Sequence, residues 1–140
     1  MLKITHLFFD SAAVVRSVDK STRKVLSKFG AFVRRTAKQS IRKRKKPSTP
    51  GMPPSSHTGL LKRFIFFGYD QQKNSVVIGP TQLTENNRGQ APNVLEYGGR
   101  TTVEVNTKNT HVKIRPRPFR GPAFEKEKQS LPALWQDSVK

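Results

Sequence analysis

The chain has 140 residues, which suits one domain and leaves little room for a second. Lys and Arg total 27 against 9 Asp and Glu, giving +18, and a compact domain with that excess repels itself unless polyanions or acidic neighbours relieve it. No Cys is present, which excludes disulfides, thiolate catalysis and Cys-type zinc sites. Nucleic acid is therefore the first partner expected and an acidic protein surface the second. An anionic membrane comes third, because no run approaches the roughly 18 apolar residues of a span. Hydrophobic residues make up 34% of the chain. That share supports a modest core and predicts that part of the chain is loop ordered against partners.

Met1 to Phe9 holds one Lys and a short apolar run with no small-residue cleavage site behind it, so no signal peptide is read; Leu2 to Phe9 is taken as an edge strand. Asp10 stands where an N-cap belongs. Val15, Val18, Thr22, Val25, Leu26, Phe29, Val33, Ala37 and Ile41 then recur at steps of three and four, predicting one helix from Ser11 to Arg42 with that stripe as its apolar face. Gly30 lowers helix propensity by about 1 kcal/mol at its middle and is read as a site for a bend.

The helix leads into Arg42-Lys43-Arg44-Lys45-Lys46 and then into a stretch with four prolines in the eight positions 47–54. Such spacing forbids helix and discourages central strand. The basic, Pro-rich loop 42–57 is expected to protrude as an arm from a single domain covering 1–140. Beyond it, Leu60 to Tyr69 reads as a strand, or a turn feeding one. Ser75 to Ile78 is its antiparallel partner, stopped by Gly79-Pro80. Thr81 to Gln90 is read as a polar loop, and Ala91 to Tyr97 as a short helix closed by Gly98-Gly99. Thr101 to Val105 and Thr110 to Ile114 form a second hairpin around Asn106-Thr107-Lys108-Asn109. Pro122 is expected at the first position of a final helix, which Pro132 kinks or restarts after Ser130. The predicted class is α+β: a long N-terminal helix packed on a small antiparallel sheet of two hairpins, with a C-terminal helix.

Three groups of residues, in order, resemble the gene-product-ten-like neck and tail-component family of lambdoid siphophages. The first is Pro50-Gly51-Met52-Pro53-Pro54 with Thr58-Gly59-Leu60-Leu61 after it. The second is Val76-Val77-Ile78-Gly79-Pro80. The third is Leu95-Glu96-Tyr97-Gly98-Gly99 followed by Arg117-Pro118-Phe119-Arg120-Gly121-Pro122-Ala123-Phe124. The resemblance spans residues 47 to 124. Gly99 stands where the family often has Thr, and the first helix is more basic than the family pattern. What it implies is a virion protein of the head–tail junction, made in the host cytoplasm and assembling as a ring of roughly six or twelve copies. Its partners would be connector or head-closure proteins on one side and tail-terminator or tail-tube proteins on the other. The family brings no catalytic residues and no cofactor, and no enzyme is expected.

Arg34, Arg35, Lys38, Arg42, Lys43, Arg44, Lys45 and Lys46 have no acidic residue among their sequence neighbours, and a helix dipole accounts for only a few of these charges. They are the expected contact with an acidic protein ring, and secondarily with packaged duplex DNA. A uniformly positive channel would trap DNA that has to slide. Pro50, Gly51, Pro53 and Pro54 are expected to reach a neighbouring subunit, a plain linker being the bland reading of the same residues. Glu96, Tyr97, Gly98, Arg117, Pro118 and Phe119 are read as a structural turn and anchor. Phe64, Phe66, Phe67 and Tyr69 are read as core rather than a base-stacking platform. His6, His57 and His111 lack metal-ligand spacing. A basic nucleic-acid-binding protein of nucleoid or ribosomal type is the competing reading.

Overall fold

The computed structural model describes residues 10–80, 91–136 and 138. The expected edge strand at 2–9 and polar loop at 81–90 lie outside the described residues. Helix α1 runs Ser11–Ser40 and opens on Asp10, whose carboxylate accepts the N–H of Ala13 at 2.9 Å. It ends two residues before the predicted Arg42, because Ile41 turns extended and is buried. The chain then forms β1 (Arg42–Lys43), which pairs in parallel with β2 (Ser55–Ser56). All five consecutive cations therefore lie beyond Ile41, as edge strand or loop, and none is on the helix.

A single turn, α2 (Leu60–Arg63), feeds β3 (Ile65–Asp70), which pairs antiparallel with β4 (Ser75–Pro80). Strand β4 continues two residues past the predicted stop. Pro80 pairs with Ile65 at the end of a two-stranded sheet, where a missing N–H is tolerated. The intervening turn is held by Asp70, whose Oδ1 accepts from Gln72 and Lys73 at 3.0 and 3.2 Å. Helix α3 (Ala91–Tyr97) precedes the hairpin β5 (Gly99–Val105) and β6 (Lys108–Ile114). Its loop is only Asn106-Thr107, both at positive φ, shorter than the four residues expected. Helix α4 (Arg120–Lys128) places Pro122 third, not first. The chain restarts as α5 (Leu131–Trp135) with Pro132 in its first turn.

The architecture is α+β, with a long N-terminal helix, two small antiparallel hairpins and a C-terminal helical segment. The hairpins are separate two-stranded sheets. The core gathers Phe29, Val33, Ala37 and Ile41 from α1 with Ile65, Phe119 and Ala123. The buried face of α1 starts at Ser21; Val15 and Val18, predicted within it, are exposed, since α4, α5 and the β3–β4 hairpin cover only the later turns among the described residues. The aromatic run of β3 also divides. Ile65 is fully buried, whereas Phe66 and Phe67 are 45% and 37% exposed. Phe67 shares the α1-facing side with Ile65 and is covered only in part, whereas Phe66 points to the outer face, which a two-stranded sheet with one helix against it leaves open.

Gly30 is buried where α1 meets this hairpin. A Cβ there would lie 2.6 Å from Val76 Cγ2 and 2.9 Å from Phe67 Cδ2. Its missing side chain permits this close approach. Gly30→Ala would gain about 1 kcal/mol in helix propensity but lose about 1–3 kcal/mol by overpacking, a net loss. Urea unfolding should show a lower midpoint at unchanged slope, and Gly30→Ala with Val76→Ala should recover part of it. A Gly30→Ala chain more stable than the parent would disprove the close-packing account.

Candidate docking site at the Glu96 clasp and basic loop

The last turn of α3 buries Glu96 against the start of α4. Its Oε2 accepts the N–H groups of Phe119 and Arg120, each at 2.9 Å, and Oε1 accepts that of Gly121 at 2.7 Å. A helix start leaves four N–H groups without intrahelical partners. Here three bond one carboxylate, and the fourth position is Pro122, which has none. The helix end is thus capped by a residue 23 to 25 positions away.

Burial by itself raises the Glu96 pKa. The three N–H bonds and the Arg120 guanidinium, 3.7 Å away at Nε, outweigh it and hold the carboxyl below its ordinary range. Arg120 also donates to Asn93 Oδ1 at 3.0 Å and lies over the rings of Tyr97 and Phe119, each 5.8 Å from its carbon. A Cβ on Gly79 would sit 3.6 Å from Arg120 Nη1, so the end of β4 abuts the same side chain.

Gly98 ends α3 at φ 76, and its N–H bonds Val94 O at 2.8 Å. A side chain there would meet Pro116 Cδ at 2.9 Å and Ile114 O at 3.2 Å. The segment 115–119 consequently lies flat on α3, with Arg117 N–H donating to Leu95 O at 2.6 Å. On its other side sits the Pro-rich loop: Gly51 N–H donates to Pro116 O at 2.8 Å, and Arg117 Nε to Ser48 O at 3.0 Å. The loop expected to protrude is thus tied to the chain through Ser48, Gly51 and the β1–β2 pairing, with Pro54 fully buried. Its tip, Pro50-Gly51-Met52, stands exposed; Pro53 is half-buried.

The eight predicted basic contacts do not form one set. Arg34 is half-buried, donates from Nε to Ile65 O at 2.7 Å and lies over Phe66, so it ties α1 to β3. Arg35 lies over Phe32 at 5.1 Å, and Lys38 is half-buried. Arg42, Lys43, Arg44, Lys45 and Lys46 are all exposed. Among the described residues the ion pair present is Arg120–Glu96, leaving those five cations without a carboxylate partner. Among them also, no group of three His, Asp or Glu could hold a metal ion, and no helix is long and apolar enough to cross a membrane.

Sequence reading did not single out Asn93, Ser48 or the role of Arg120. Nor did it flag Lys113 and Arg115, or join them to Arg117, which it read as part of the anchor, although basic residues at every second position leading out of a strand are a readable signal. Comparison of the chain with protein-family models, curated proteins and solved structures gives no match.

Because the folded-state pKa of Glu96 is lowered, its stabilisation is complete above the unfolded value, about 4.3, and is lost as pH falls through the folded value. Urea midpoints of the parent should therefore drop as pH falls below about 5. Glu96→Gln should be less stable at neutral pH by about 2–4 kcal/mol and lose that part of the acid dependence. A variant curve running parallel to the parent from neutral to acid pH would exclude Glu96 as the responsible group.

Proposed function

We propose that this protein is a non-enzymatic structural component of a tailed-phage virion, acting at the head–tail junction as a neck or tail-completion protein. One observation carries most of the support. The segments behind the family resemblance are far apart in sequence yet converge on one node. Gly51 bonds Pro116, Gly79 abuts Arg120, and Glu96 caps the helix that Phe119 and Arg120 open. A shared motif order has a physical basis when its members build one structural joint, which mere composition would not require.

In this reading the protein is made in the host cytoplasm and joins the virion as a ring of copies between connector and tail tube. The exposed cations 42–46 and the loop tip at Met52 lie on one continuous stretch of chain that leaves α1 and returns to the clasp. That stretch is the surface offered to acidic protein neighbours and to the next subunit. Particles assembled without the protein should accumulate as DNA-filled heads that fail to join tails, seen by electron microscopy of lysates. Normal yields of infectious virions without it would end this reading.

The net charge of +18 favours one other reading, a basic nucleic-acid-binding protein. Engagement of duplex by Arg42 to Lys46 would give a slope of about −4 to −5 for log affinity against log salt. Replacing those five residues by Ala should then flatten it. Tight duplex binding by the isolated chain at about 0.15 M salt, with that slope, would favour this reading over the virion one.

A further inference from the structure

Between the Pro-rich loop and strand β6 lies a cleft of about 460 Å³. On one wall Val112, Lys113, Ile114 and Arg115 contribute in unbroken succession. A strand presents alternate residues across a face, so four in a row mark its edge. The opposite wall includes Pro47 and Pro54, which have no N–H to offer.

The register says which backbone groups that edge exposes. A two-residue loop with positive φ at both Asn106 and Thr107 makes Val105 and Lys108 a hydrogen-bonded closing pair. Bonded pairs alternate along an antiparallel ladder, so Thr110, Val112 and Ile114 bond to β5. Asn109, His111 and Lys113 turn their N–H and C=O groups outward. The hairpin is two-stranded, and the Lys113 N–H has no backbone partner among the described residues.

The chemistry around this edge has one sign. Lys113, Arg115 and Arg117 are the charged residues that line the cleft, beside the His57 imidazole, and no carboxylate does. Beside it, β2 pairs with Arg42-Lys43, the start of the exposed cationic run. No Phe, Tyr or Trp lines it either, so the large aromatic platform of single-strand binders is missing from the lining. Lys113 and Arg115 share one face of the strand, Val112 and Ile114 the other.

We propose that this cleft receives an extended segment of a partner protein as a third strand beside β6. Its residues alternate between acidic, opposite Lys113 and Arg115, and apolar, opposite Val112 and Ile114. The seat is short: Val112 to Arg115 covers roughly 10 Å of strand. One end is closed by the bonds from Gly51 to Pro116 and from Arg117 to Ser48. The inference stands on the cleft alone and does not depend on the virion reading.

The test uses the full chain and an eight-residue peptide of alternating Glu and Val, with a Lys–Val peptide and a short DNA duplex as comparators. Amide NMR with the Glu–Val peptide should shift residues 112–115 and slow hydrogen exchange at Lys113, with weaker binding as salt rises. Lys113→Pro removes an N–H that the hairpin does not use, and Lys113→Ala removes the same charge while keeping it. Lys113→Pro should bind the peptide about fivefold more weakly than Lys113→Ala, the loss of one net backbone hydrogen bond. Exchange at Lys113 in the parent chain supplies the same answer if the Pro variant is misfolded. The proposal is overturned if the two variants bind alike with Lys113 unprotected, if the Lys–Val peptide binds equally well, or if the Glu–Val peptide fails to bind. DNA shifting residues 112–115 in place of the peptide would overturn it too.

Discussion

A buried carboxylate that receives three backbone N–H groups is the joint on which the rest of this small structure depends. Glu96 carries its charge into an environment that penalises it, and the start of α4 removes the penalty by presenting Phe119, Arg120 and Gly121 at hydrogen-bond distance. The exchange is reciprocal. The helix start would otherwise leave one buried and two part-buried donors unsatisfied, and the carboxylate would otherwise be an uncompensated buried charge. Because both partners lose when they separate, α3 and α4 hold one position relative to each other. Phe119, the N-cap residue, is thereby set fully buried among the α1 side chains.

This joint matters because the apolar core is small. Phe29, Val33, Ala37 and Ile41 supply one stripe, and only Ile65, Phe119 and Ala123 come from elsewhere among its fully buried members. Burial of single large side chains contributes about 1.5–3 kcal/mol each, so a core of this size leaves a narrow margin over conformational entropy. Polar ties supplement it at several points: Arg34 to the Ile65 carbonyl, Thr36 to Glu127, and Ser21 to the Ser138 carbonyl. Each links α1 to an element distant in sequence. The Pro-rich loop joins the same framework through Gly51 and Ser48, which brings the cationic stretch 42–46 alongside the open edge of β6. Stability and surface chemistry thus share residues: Arg117 fastens the loop and also lines the cleft.

Local chemistry was legible where the deciding forces act over a few residues. The Asp10 cap, the 3.6-residue stripe from Val25 to Ile41, the short helix closed by Gly98 and both hairpins could be read from periodicity, capping and turn residues. Those effects depend on neighbours within a turn or a strand pair. Reading failed where a distant element decided. Val15 and Val18 fit the stripe by spacing, yet no described element reaches them. Gly30 has the propensity of a helix weak point, but its missing side chain is required by Val76 and Phe67 across the packing. Phe66 has the composition of core and stays partly exposed because a two-stranded hairpin has only one covered face, while Phe67, on the face towards Gly30, is covered only in part.

The sequence by itself determined the α+β class, the position of the long helix, the excess of positive charge and the segments 47–54, 95–98 and 117–119 as places of special backbone. Only the tertiary structure decided that these segments are one joint. It also decided which cations remain available: Arg34 is consumed by a backbone carbonyl, while 42–46 stay exposed. The reason is range. Propensity, periodicity and turn chemistry are encoded in contiguous residues, whereas the satisfaction of a buried carboxylate depends on three N–H groups more than twenty positions away. No local pattern records that pairing; it exists only once the chain has closed around it.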